Sequence, residues 1–147
     1  MNKNTKIVIW VVIVVLVVWV GYTYLNKPKA PVFNEPVKVG VIIPLSGFGA
    51  YYGEQSKKGV DLARDEILKD NPELKLEVYY EDSQYNAKGG VDGYNKLRAT
   101  VQPDAVITSA SDVSMATKPL AVEDNILQMA IWASADKYAS PDDLSFR

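Results

Sequence analysis

Neither cysteine nor histidine occurs in the 147 residues, and each absence removes a body of chemistry. Without cysteine there is no disulfide, thiolate nucleophile, Cys-based zinc site or lipid-accepting cysteine after an apolar run. Without histidine a Ser-His-Asp arrangement is impossible, and the commonest general base near neutral pH and the commonest metal ligand are missing. Carboxylates remain as acids, bases or ligands for hard cations. Hydrolase and transition-metal readings lose most of their ground, and neither catalysis, a metal nor a cofactor is expected. Positive charge is also scarce beyond the first 36 residues. Those hold four Lys and one Glu, whereas residues 37–147 hold 12 basic and 17 acidic groups, net −5. Nucleic-acid binding leans on clustered Lys and Arg against phosphates and is not expected here.

What is abundant is apolar sequence at the amino terminus. Residues 7–20, IVIWVVIVVLVVWV, are uninterrupted, and GYTYL extends the run to Leu25, about 19 residues against the ~20 that span a bilayer. A soluble core helix is rarely apolar on every face. Lys3 and Lys6 precede the run and Lys27 and Lys29 follow it, so the flanks orient it only weakly. The rival is a cleaved signal peptide, but no small-x-small pattern closes the run and Pro31 directly follows Ala30. The expectation is a retained transmembrane anchor over 1–25 and an extended Pro-rich linker over 26–36, NKPKAPVFNEP. A domain over 37–147 then lies on the extracytoplasmic side, periplasmic or cell-surface.

Within that domain strand and helix patterns alternate. VKVGVII (37–43) reads as a buried strand; Glu54 to Lys69 puts Val60, Ala63 and Ile67 at helical spacing; LEVYYED (76–82) alternates as a strand. Ala87 to Val101 repeats the helical pattern, DAVITS (104–109) is a third strand, and Ser111 stands where a helix N-cap belongs before DVSMATKPLAVEDN. Pro119 would kink that helix or delay its regular start. ILQMAIWA (126–133) is a fourth strand and the remainder reads as loop. Alternation of this kind predicts a doubly wound α/β fold with a parallel sheet. With three helices for four strands, one face or edge lacks a covering element.

The stretch PLSGFGAYYGE sets Gly47, Gly49 and Gly53 after the first strand. It imitates a nucleotide fingerprint, but Pro44, Leu45 and Ser46 intervene, and the first acids at a strand end, Glu81 and Asp82, come too late for a ribose partner. Loops at the carboxyl ends of parallel strands nonetheless remain the expected ligand site. A helix opening at Ser111 would attract a small carboxylate without Lys or Arg.

Four segments taken in order, VKVGVIIPLSGFGAYYGEQSKKGVDLARDEI, EDSQYNAKGGVDGYNKL, PDAVITSASDVSMATKPLAVEDNI and LSFR, resemble the branched-chain amino-acid (Leu/Ile/Val) type periplasmic solute-binding proteins. The resemblance covers about 110 residues. It implies a type I periplasmic binding fold of two α/β lobes closing on a ligand, of which this chain holds the first part of lobe 1. It also implies an amino acid or related small carboxylate as ligand and an ABC permease as partner. Carried over residue by residue, Tyr52 would cover the ligand and Ser111 would bind its carboxylate. Ala133 would offer a backbone group and Ser134 a hydroxyl to the head group. Trp132 stands where the family pattern has a small residue or proline, and would narrow the cleft or favour a flat ligand.

Each assignment has a structural rival: Ser111 as a cap only, Tyr51 and Tyr52 as surface packing, Ser134 as a turn former, Glu81 and Asp82 as strand-end groups. At the level of function the rival is the ligand-binding domain of a sensory receptor, and after that an exported enzyme working through carboxylates.

Overall fold

The computed structural model describes residues 3–25 and 35–147, which fall in two units on either side of Val32. In the first, Lys3–Leu25 form a 23-residue helix, α1. Its described side chains, at Trp10 and from Val12 to Tyr22, are nearly all exposed. Among the described residues no helix is long and apolar enough to cross a membrane, so a span over 1–25 stands as a proposal only. Of the linker expected over 26–36, Glu35 and Pro36 alone lie among the described residues.

The second unit is built on five strands: β1 (Val37–Ile43), β2 (Leu76–Asp82), β3 (Ala105–Ser109), β4 (Leu127–Ile131) and β5 (Ser145–Phe146). All neighbours pair in parallel, in the order β2-β1-β3-β4-β5. Helices α2 (Ala50–Asp70), α3 (Ala87–Thr100) and α4 (Ser111–Glu123) connect the first four in turn. The chain steps from β1 to β2 and then returns across β1 to β3, so the winding reverses between β1 and β3. Right-handed crossovers in opposite directions therefore set α2 on one face and α3 and α4 on the other. This is the doubly wound sheet that the alternating patterns predict.

The face under α3 and α4 is a dry core. Ile42, Tyr94, Leu97, Val106, Val113 and Ala121 form one cluster, each at most 1% exposed. Beneath α4 several buried side chains are polar and pair with one another, while Gln128 Oε1 and Ser109 Oγ are buried without a partner among the described residues. Thr108 Oγ1 donates to Ser114 Oγ at 2.8 Å, and Gln128 Nε2 donates to Thr117 Oγ1 at 2.8 Å. Such pairing removes most of the desolvation cost of burying them. The other face carries α2 alone. A groove of about 400 Å³ remains between that helix and the strands, lined by Val39, Val60, Ile67, Val78, Ile107 and Ile131.

Three boundaries differ from expectation, each for a local reason. Helix α2 starts at Ala50 rather than Glu54, because a 3-10 turn over Gly47–Gly49 leads straight into it. Strand β4 ends at Ile131, since Trp132 takes a positive φ of 43° that no strand accommodates. The closing stretch is not all loop: Ser145–Phe146 adds a fifth strand, paired with Gln128 and Met129. An ion pair between Lys118 and Asp143 at 3.0 Å and the wholly buried Tyr138 hold this stretch against α4. Two residues of strand are too few to give a periodic signal in sequence.

Candidate functional site

The loops leaving β1, β2, β3 and β4 at their carboxyl ends are tied to one another at the point where the winding reverses. Asp82 clasps the first two. Its carboxylate accepts from the backbone N–H of Leu45 at 2.8 Å, of Ser46 at 3.3 Å and of Gln84 at 2.8 Å, and from the Ser46 hydroxyl. Burial pushes the Asp82 carboxyl upward, but the Ser46 hydroxyl and these three N–H groups outweigh it and hold the group below its ordinary value. Asp82 is thus a loop clasp rather than a solvated strand end. Glu81 is paired with Lys96 at 2.8 Å.

The glycines of the β1 loop serve packing. A Cβ on Gly53 would lie 1.6 Å from the Pro44 carbonyl oxygen, and one on Gly49 would lie 2.7 Å from the Tyr85 ring. Only a bare backbone lets the start of α2 sit that close to the chain leaving β1. This accounts for the glycine pattern without a phosphate.

Ser111 is not the N-cap that the sequence predicts. It is the first residue of α4, and the cap position falls to Ala110, whose φ of 67° is left-handed and whose methyl group can cap nothing. The Ser111 hydroxyl is employed elsewhere: its oxygen accepts from the backbone N–H of Ser134 at 3.0 Å. The hydroxyl proton remains to be donated to an acceptor. The first N–H groups of α4 thus start without a side-chain cap, although Asp112 in the same turn favours the helix dipole and opposes an added anion.

Ala133 is half-buried and lies between Trp132 and Ser134 in the loop after β4. Tyr52 lies in the first turn of α2, 53% exposed, with its ring centroid 5.7 Å from that of Trp132. All four predicted residues therefore meet in one region, Ser134 to Ser111 by a hydrogen bond and Tyr52 to the β4 loop by ring contact. What sequence reasoning missed is the rest of the aromatic set. Tyr85, in the β2 loop, stacks with Trp132 at 6.2 Å and 28°, and meets Phe48 of the β1 loop edge-on at 6.2 Å. Tyr85 sits in a polar loop 47 residues from Trp132, and no local pattern joins them.

Four non-glycine residues in these loops have positive φ: Gln84, Tyr85, Ala110 and Trp132. Such backbone costs of order 1–3 kcal/mol at each position and gathers at functional sites.

A family model described as periplasmic binding protein matches residues 36–146. The chain belongs to that family. Its relatives include the Leu/Ile/Val-binding protein BraC3 of Rhizobium johnstonii, 32% identical over 108 residues, which cover 72% of this chain and 29% of that protein. Among solved structures it is similar to the branched-chain amino acid transporter substrate-binding protein LivJ of Streptococcus pneumoniae in complex with isoleucine. That match has 24% identity and a TM-score of 0.65 and covers 70% of this chain and 30% of the other. It is also similar to an extracellular ligand-binding receptor of Desulfohalobium retbaense, with 28% identity, a TM-score of 0.62 and 74% and 19% coverage. The chain spans about three-tenths or less of the length of these relatives. At these strand ends Asp82 is occupied as a clasp and Glu81 in an ion pair.

Proposed function

We propose that residues 37–147 are the first part of lobe 1 of an extracytoplasmic solute-binding protein, which captures an amino acid or similar small carboxylate and delivers it to an ABC permease. The observation that carries this reading is the junction of the β3 and β4 loops through Ser111 and Ser134 at 3.0 Å, beside a helix start with no side-chain cap. A solute carboxylate there would accept from the Ser111 hydroxyl and from N–H groups of the first turn of α4. Tyr52 would cover it, and the backbone of Ala133 with the hydroxyl of Ser134 would meet its head group. The sensory-receptor reading is the less favoured, since the family model and the curated relative both describe binding proteins.

A second lobe would complete the cleft, because a small ligand binds well only when most of its surface is buried and one half-cleft leaves much of it wet. Isothermal calorimetry with leucine should therefore give weak or undetectable binding for the 147-residue chain and much tighter binding for a version extended by a second lobe. Sub-micromolar binding by the 147-residue chain would overturn the two-lobe requirement.

The amino-terminal run serves, in this reading, as a retained membrane anchor. What supports it is the apolar run of the sequence from Ile7 to Leu25, about 19 residues against the ~20 that span a bilayer. Terminal sequencing of protein from the membrane fraction should begin at the chain start; a terminus near Pro31 or Val32 would mean a cleaved signal instead.

A further inference from the structure

Tyr85 and Trp132 leave strands that are three places apart in the sheet, with β1 and β3 between them. Three inter-strand spacings amount to roughly 14 Å, yet the two rings lie 6.2 Å apart and 28° from parallel. Both residues stand on left-handed backbone, φ 57° and 43°, a conformation unfavourable for bulky side chains. The loops thus bend inward to lay two rings over the reversal point. Tyr52 extends the surface from Trp132, and Phe48 extends it from Tyr85. Tyr85 is 40% exposed, Trp132 44% and Phe48 90%, so the set is an open wall and not a core.

The indole of Trp132 donates through Nε1 to Ser56 Oγ at 3.2 Å. Its polar edge is spent inside the protein, and what it can present to a solute is its face. An aromatic box for a quaternary ammonium needs rings held apart around a void; here neighbouring rings already lean on one another at 5.7–6.2 Å. Only Tyr85 and Trp132 lie near parallel, at 28°, while Tyr52 and Phe48 are inclined to them by 51° and 61°; the near-parallel pair is matched best by a flat ring.

We propose that Tyr85 and Trp132, flanked by Tyr52, form a stacking surface that selects solutes carrying a planar aromatic ring on the carboxylate. This rests on the reading that the strand ends hold a carboxylate, and it adds the class of group attached to it. It also gives Trp132 a role at the position where the family pattern has a smaller residue.

The test is amide-resolved NMR titration of the full 147-residue chain in detergent micelles, into the millimolar range, with benzoate, cyclohexanecarboxylate and glycine betaine. The two acids share a carboxylate and a six-carbon ring and differ in π character. Aromatic pairs contribute ≈ 0.5–1.5 kcal/mol beyond area burial, so benzoate should bind about two- to tenfold tighter than its saturated analogue. The amides of Ser111 and Ser134 and the indole N–H of Trp132 should shift with it. Trp132→Leu and, separately, Tyr85→Leu should reduce the preference to less than about twofold while the acids still shift the Ser111 amide. Equal affinity of the parent for both acids would overturn the aromatic wall and leave the carboxylate reading intact. Tighter binding of betaine than of benzoate would replace the wall with a cation site. If neither acid shifts the Ser111 or Ser134 amide, in this chain or in a version extended by a second lobe, this proposal fails together with the site on which it rests.

Discussion

The two faces of the sheet differ sharply in how complete they are. Under α3 and α4, Leu97, Val106 and Val113 are sealed from solvent, and even the polar side chains Thr108, Ser114 and Gln128 are wholly buried. Under α2 the groove stays open, Ile67 is 42% exposed, and Leu127 and Met129 are exposed strand residues. The loops that carry the candidate site draw on both faces, since Tyr52 rides on α2 while Ser111 opens α4. The closed face holds the sheet in register. The open face contributes site residues from a helix with far fewer constraints.

The largest effect that would break this comparison lies in the closed core. Leu97 is 1% exposed and packs against Gly40, where a Cβ would meet its Cδ1 at 2.7 Å. Leu97→Ala should cost about 2–5 kcal/mol, measured by urea unfolding of the chain. A loss below about 1 kcal/mol would mean that this face is no better packed than the other.

Next in size is the Asp82 clasp. Asp82→Ala strips an acceptor from three N–H groups and one hydroxyl, and losing hydrogen bonds to a charged group costs about 1.5–3 kcal/mol where they are not replaced by water. Its pH dependence is the sharper readout. Because the folded-state value is lowered, the clasp contributes in full above the unfolded value of ~3.9 and is lost as pH falls through the folded value below it. Unfolding midpoints followed by circular dichroism from neutral pH downward should decline below about pH 4 in the parent. The decline should be shallower in Asp82→Asn. Identical slopes would contradict the clasp.

The smallest effect is expected on the open face. Ile67 already meets solvent along the groove, so Ile67→Ala should cost less than about 1 kcal/mol. A cost equal to that of Leu97→Ala would show that something covers the groove in solution.

The sequence carried the repeating elements well and the special positions poorly. Strands 37–43 and 76–82 and the α3 start at Ala87 coincide with the structure because an apolar run, an alternating strand pattern and helical spacing are local signals. The four residues proposed for the site came from family resemblance, and they gather in one region. What escaped depends on long-range geometry. Ser111 is displaced from its expected cap role by one residue because Ala110 takes a left-handed conformation. Tyr85 joins Trp132 only through two bent loops, and β5 is a strand only because Gln128 is there to pair with it.

The central claim, that the β3–β4 loop junction holds a carboxylate, is tested most directly at Ser111 in a version of the protein extended by the second lobe. Titration calorimetry would compare the folded parent, Ser111→Ala and Ser134→Ala with the solute that binds and with its amide analogue. Removing the Ser111 hydroxyl deletes a hydrogen bond to a charged group, so binding of the acid should weaken by roughly one to two decades. Ser134→Ala keeps the N–H that meets Ser111 and should weaken it less. The amide should bind poorly to all three. If folded Ser111→Ala binds the acid as tightly as the parent and the amide binds as well as the acid, the junction is only a structural contact between two loops.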